Sequence, residues 1–266
     1  MLTDKEKIKV SIYDSRDLFK TYFANASEKS ILIDLMRTRF SPASLPLNIL
    51  DLGCHDGHLI KKIIDAYAWR MPSKVTLTGV DPSIDALSEY SKNKFTIPVH
   101  TNTFAGTAES YFLRHSGDEY FDWVIASQCL YWSLDLPYMV RNISRYGKSG
   151  LIVLRGHRGI YEIQSRFKTY IGNRNEQFYT AVDIESALLY LNIPFEKEIK
   201  TTFIQLPPQG SMEMKWLIAF FLQQDEKNIS NNIVQEVESW ILAKTLDNMA
   251  HDVSFFWLGN AMLKNK

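Results

Sequence analysis

Cysteine is scarce: Cys54 and Cys129 are the only two in 266 residues. Two are too few for a disulfide framework, and Cys54 sits inside a glycine turn, so both read as free thiols in a reducing compartment. Net charge is lacking as well, because 30 basic side chains meet 30 acidic ones with no long block of either sign. A surface that grips nucleic acid or anionic lipid is therefore not expected. No apolar stretch approaches the ~20 residues of a membrane span. The opening MLTDKEKIKV is charged where a secretory leader would be apolar, which makes the cytoplasm the expected location. Internal repeats, low-complexity tracts and Gly/Ser linkers are missing too. The six histidines, at 55, 58, 100, 115, 157 and 251, contain no i, i+4 pair, and no metal site is expected.

What is present is an alternation. LNILDLGC (47–54), KVTLTGVD (74–81), FTIPVHT (95–101), FDWVIASQ (121–128) and GLIVLRGH (150–157) read as strands, and 58–71, 83–93, 105–115 and 134–146 as the helices between them. Strict alternation with continuous apolar runs predicts an α/β fold, a parallel sheet with helices on both faces. Ahead of it, residues 15–38 read as an amphipathic helix or pair broken near Asn25 to Ser27. After it, 195–206 and 251–259 read as two further strands around a helical insertion at 211–249. One domain is expected over 1–266: a helical cap at 1–46, an α/β core at 47–210, an insertion at 211–250 and a last strand at 251–266.

The chemistry concentrates in ILDLGCHDGHLI, residues 49–60. In an open parallel sheet, ligands settle beyond the carboxyl ends of the strands, and the first strand-to-helix turn is the usual cradle. Gly53 and Gly57 permit backbone angles or close approach that a side chain would block, and the following helix offers free N–H groups. The rival ligand is a dinucleotide, whose fingerprint is G-x-G-x-x-G. Here His55 takes the middle glycine position and Asp56 follows, which opposes a pyrophosphate by bulk and by charge. A sulfonium nucleotide has the opposite needs, since Asp51 suits its positive charge and its ammonium. S-adenosylmethionine fits the turn better. The second strand ends in GVDPS, placing Asp81 where a carboxylate accepts from both ribose hydroxyls.

The stretches ILDLGCHDG, TGVDPS and FDWVIASQCLYW, in this order, resemble the first, second and fourth motifs of class I S-adenosylmethionine-dependent methyltransferases. The resemblance implies a Rossmann-like, seven-stranded, mostly parallel sheet whose last strand, HDVSFFWLG, lies antiparallel beside the fifth. It implies that Asp51, Gly53 and Gly57 line the methionine end and Asp81 the ribose. Cys54 and His55 in the turn, and Pro82 and Ser83 after Asp81, join the same cofactor set. Thr107 and Ala108 would flank the adenine, although TNTFAGTAESYF lacks the acid that often binds the adenine amino group. Ser127 and Gln128 would reach the cofactor from the other side. His55 departs from the family's usual glycine.

More loosely, the chain is similar to the histamine N-methyltransferase group, through NASEKS, SQCLYWSLDLPYMV, YEIQSRF, the aromatic insertion and the strand opened by HDVSFF. This likeness implies a small-molecule amine acceptor, with Glu28, Gln128 and His251 at the substrate. His251 departs from the amide-type group expected there, and suits a base or a different acceptor. Tyr131 and Trp132 would face a ring or cation, with Tyr22, Tyr161 and Trp216 as further walls, since aromatic faces attract cations by roughly 0.5–2 kcal/mol. Methyl transfer is an in-line displacement that asks the protein for alignment and dryness. An amine must also lose a proton, for which Glu28 and His251 are the candidates. An O- or C-methyltransferase of a hydroxy or keto-acid metabolite is the alternative, with His251 as base. Methylation of RNA or protein is disfavoured by the charge balance and by the lack of an N-P-P-Y motif. A non-catalytic module that senses S-adenosylmethionine is the alternative outside catalysis. A monomer or weak homodimer, without nucleic-acid or membrane partners, is expected.

Overall fold

In a computed structural model describing residues 16–39, 47–115, 120–172, 178–245 and 247–262, the apolar runs form seven strands. They are β1 (Leu47–Leu52), β2 (Val75–Asp81), β3 (Val99–Ala105), β4 (Phe121–Ser127), β5 (Gly147–Arg155), β6 (Phe195–Gln205) and β7 (Asn248–Gly259). One sheet takes the order β3-β2-β1-β4-β5-β7-β6. The first five pair in parallel, with Leu47 beside Val75, Val75 beside Val99, Ile49 beside Trp123 and Trp123 beside Ser149. The carbonyl of Lys148 accepts from the Asn260 N–H and that of Asp252 from the Gly156 N–H, so β7 runs against β5. The chain reverses strand order at β1, between β2 and β4, which puts the ends of these strands at the switch point.

Several boundaries differ from the sequence expectation: β5 begins at Gly147 rather than 150, β7 at Asn248 rather than 251, and the helix His58–Ala66 stops short of 71. Two further shifts have a clear local cause. The third strand occupies Val99–Ala105 rather than 95–101, because Pro98 has no N–H to give a ladder and the strand forms beyond it. It lies at the sheet edge with its polar residues half wetted, so the apolar FTIPV is a poor guide to its position. The next helix begins at Ala108 instead of 105, because the Thr107 hydroxyl accepts from the Ser110 N–H as its cap.

Among the described residues the chain divides into two compact units. One is drawn from Ser30–Leu154, Gln177–Ile199 and Ser254–Lys266. Its core joins Leu50, Leu52, Val124, Ala126 and Ile152 of the sheet to two helices. In the helix Leu136–Tyr146, buried Leu136, Met139, Val140 and Ile143 repeat at helical spacing behind the Asp135 cap; the other helix, Ala181–Tyr190, contributes Ile184 and Leu188. In the same unit buried Arg39 lies 2.5 Å from Glu196 and 2.6 Å from Glu198, with the Trp257 ring beneath it.

The other unit is drawn from Met1–Lys29, Arg155–Glu176 and Lys200–Val253. Its core takes Leu18 and Tyr22 from the helix Arg16–Asn25, Ile163 from Ile160–Arg166, Leu217, Ile218 and Phe221 from Met212–Leu222, and Val237 and Ile241 from Asn231–Leu242. The insertion is thus a pair of helices, each started by a serine cap, Ser211 and Ser230. The expected break near Asn25 is where the chain joins β6: Ala26 bridges Ile204, and the Ser27 and Phe203 N–H groups are each satisfied at 2.9 Å by the other residue. No helix among the described residues is long and apolar enough to cross a membrane.

Candidate functional site

The turn after β1 is built from three left-handed residues, Gly53 (φ 61°), His55 (48°) and Gly57 (76°). A side chain at Gly53 would put its Cβ 2.3 Å from Cys129 Cβ, so neighbouring packing alone demands glycine there. His55 occupies the same backbone region at a cost of roughly 1–2 kcal/mol. The turn is tied to β2, because the His55 N–H donates to Asp81 Oδ2 at 2.9 Å and the Cys54 N–H to the Val80 carbonyl at 3.1 Å.

Asp81 ends β2 and is buried. Its second oxygen accepts from the Ser83 N–H at 2.9 Å, and Ser83 caps the helix Ile84–Tyr90. Pro82, which lacks an N–H, stands between these two anchored residues. Asp51, buried in β1, takes a 3.4 Å contact from the Tyr90 hydroxyl. Burial, with Asp51 and Asp81 nearby, pushes the Cys54 thiol well up, so it stays protonated. Asp56 is held below the ordinary carboxylate range by the His55 imidazole, whose Nδ1 is 3.5 Å away, and by the His58 N–H.

At the end of β4, the Ser127 Oγ is buried and has no hydrogen-bond partner among the described residues. Gln128 follows with φ 56°, its N–H held by the Val153 carbonyl at 2.8 Å. The Thr107 hydroxyl is used as a helix cap and Ala108 packs on the core, so each has a structural task of its own. Tyr131 stacks on Phe178 with centroids 5.6 Å apart. The Trp132 side chain lies outside the described residues. The glycine turn and Asp81 are therefore joined by a direct bond at the ends of β1 and β2, with Asp51 in β1 just ahead of the turn. Tyr90 and Asn93, which hold this turn, carry no motif; a tyrosine ending the helix after TGVDPS and an asparagine three residues on are their sole trace in the sequence.

The second unit brings Glu28 and His251 together. Glu28 Oε2 stands 4.0 Å from His251 Nε2, and Lys29 Nζ is 3.7 Å from the other Glu28 oxygen. His251 Nδ1 lies 3.2 Å from the Arg158 carbonyl, and the His251 carbonyl accepts from the Thr202 hydroxyl at 2.7 Å. Burial pulls the imidazole's proton affinity below its ordinary value, against the opposing pull of Glu28. His251 is thus neutral near pH 7. Within this unit Tyr22 stacks on Phe220 at 4.4 Å and Trp216 packs against the apolar core, while Tyr161 meets His157 edge-on at 4.9 Å.

A family model described as "Methyltransferase domain" matches residues 24–191. Among curated proteins, no sequence matches. Of solved structures, the plantazolicin methyltransferase BamL, in complex with a triazolic desmethylPZN analog and SAH, is 16% identical over 97% of this chain and 97% of its own, with a TM-score of 0.54. A cyclopropane-fatty-acyl-phospholipid synthase-like protein from Lactobacillus casei is 11% identical over 86% and 89%, at 0.55. A putative sarcosine dimethylglycine methyltransferase from Galdieria sulphuraria is 11% identical over 86% and 84%, at 0.50. At these identities the likeness is one of fold.

Proposed function

Because the chain belongs to the methyltransferase-domain family, within the class I S-adenosylmethionine-dependent superfamily, we propose that it methylates a small-molecule acceptor at an amine nitrogen. The residues at the strand ends suit that donor. The buried Asp81 carboxylate is of the kind that accepts from ribose hydroxyls, the Asp51 carboxylate suits an ammonium, and the buried Ser127 Oγ has no hydrogen-bond partner among the described residues. Bound there, the donor supplies a methyl group on a positively charged sulfur that is itself the leaving group.

The chain's own part is to align the acceptor and to manage its proton. The observation that carries the amine reading is the buried Glu28–His251 pair. Glu28 holds a cationic amine, and His251, kept neutral by burial, takes the proton that frees the nitrogen lone pair. In the unit that holds Glu28 and His251, Tyr22, Tyr161 and Trp216 are read as aromatic walls for the acceptor; in the other unit, Gln128, Tyr131 and Trp132 are read, each on its own, as further acceptor contacts. One of the structures of like fold is described as a putative sarcosine dimethylglycine methyltransferase, an enzyme named for amines. The neutral imidazole equally suits a hydroxyl or an enolisable carbon, which keeps O- or C-methylation as the second reading.

The test is incubation with S-adenosylmethionine labelled in its methyl group and a panel of small amines, phenols and keto acids. Label in amines, with matching release of S-adenosylhomocysteine, supports the proposal. Label confined to phenols or keto acids moves it to the second reading, and binding of donor without turnover of any class overturns catalysis.

A further inference from the structure

The turn between β1 and the helix His58–Ala66 is gripped by Tyr90, the last residue of the helix Ile84–Tyr90, and by Asn93 three residues beyond it. Tyr90 is 1% exposed, and its hydroxyl donates toward Asp51 Oδ2. Its ring fills the space beside Gly57, where a Cβ would come within 2.6 Å of Tyr90 Cδ2 and 2.7 Å of Asn93 Nδ2. That Asn93 amide donates to the Asp56 carbonyl at 2.7 Å and to the Tyr90 carbonyl at 3.2 Å. The Asp51 carboxylate, the Asp56 carbonyl and the Gly57 backbone are thus held at once. Burial, with Asp51 next, pushes the Tyr90 phenol well above its ordinary range, so the hydroxyl stays protonated and donates.

We propose that Tyr90 and Asn93 are positioning residues for the methyl donor: Tyr90 fixes the rotation of the Asp51 carboxylate, and Asn93 fixes the backbone of the turn. This rests on the reading that the turn and Asp51 receive the donor's methionine end. The two side chains act differently, and that difference is measurable. Tyr90 works through Asp51 and should lose its effect when Asp51 is neutralised, whereas Asn93 works through the main chain and should not.

Calorimetric titration of S-adenosylhomocysteine into the wild-type chain, Tyr90→Phe, Asn93→Ala, Asp51→Asn and the two double variants with Asp51→Asn decides it. Tyr90→Phe keeps the ring, so its unliganded melting curve should overlay the wild type. It should weaken binding about 3- to 10-fold, raise KM for the donor by a similar factor and leave kcat within about twofold. In the Asp51→Asn background the same substitution should change affinity by less than about twofold, whereas Asn93→Ala should weaken it in both backgrounds. Equal binding by wild type and Tyr90→Phe, or an undiminished loss in the Asp51→Asn background, overturns the Tyr90 role. Unchanged binding by Asn93→Ala overturns the Asn93 role. Absence of binding by the wild type overturns the donor reading itself, a result separable from these by needing no variant.

Discussion

Glu28 Oε2 and His251 Nε2 face each other across 4.0 Å, with both residues 2% exposed or less. A charge in such a place needs a partner, and a histidine there resists protonation because burial outweighs the carboxylate's attraction. The folded chain therefore binds a proton at His251 less readily than the unfolded one, whose histidine has the ordinary value of 6.5. Stability tied to this group is complete above 6.5 and is lost as pH falls from there through the lower folded value. The melting temperature should drop over that window, and His251→Gln should flatten the drop. If His251 is the proton acceptor, the same variant should lower kcat at pH 7.5 by about 100-fold. A variant with wild-type turnover would remove His251 from the chemistry.

Gly53 is constrained twice, by φ 61° and by Cys129 Cβ at 2.3 Å from any side chain placed there. Gly210, at φ 72°, has nothing within 4 Å and isolates the backbone part. Gly210→Ala should thus lower stability by about 1–2 kcal/mol and Gly53→Ala by about 2–5, the difference being overpacking. Adding Cys129→Gly to Gly53→Ala should return most of that difference in urea unfolding. Equal losses at the two glycines would show that Cys129 yields easily.

The buried Cys54 thiol is raised by desolvation, by Asp51 and by Asp81. Alkylation depends on thiolate, so iodoacetamide at pH 8 should leave Cys54 unmodified in the folded chain while labelling it fully in denaturant. Peptide mass spectrometry reads this directly. Rapid labelling of the native chain would mean that the turn opens often.

Much of the fold was legible because central parallel strands are continuous apolar runs and helices carry 3.6-residue spacing. Ile49 to Leu52 and Val124 to Ala126 show the first, Leu136 to Ile143 the second. The edge strand at Val99–Ala105 lies beyond the expected one because a half-wetted strand has no such run, whereas the apolar FTIPV ahead of it does, although Pro98 cannot give a ladder N–H. At the candidate site, Asp51, Gly53, Gly57 and Asp81 were legible because their spacing follows the chain. Tyr90 and Asn93 were not, since their contacts reach back 33 or more residues and no local pattern encodes them. The Glu28–His251 pair is of the same kind: the resemblance named both residues, but a contact spanning more than 200 positions follows only from the fold.

Asp81 receives two main-chain donors, the His55 N–H on one oxygen and the Ser83 N–H on the other, each at 2.9 Å. A carboxylate meets both with acceptors. Asparagine presents one oxygen and one NH2, so whichever way it turns, one buried N–H faces another donor. Asp81→Asn should therefore cost about 1–3 kcal/mol in stability and loosen the turn, even without ligand. If the carboxylate also receives ribose hydroxyls, the loss for S-adenosylhomocysteine should exceed that for a fragment carrying only the methionine end, such as homocysteine, by about tenfold or more. Calorimetry with both ligands separates the two roles. Equal losses would confine Asp81 to bracing the turn and assign the ribose to another residue.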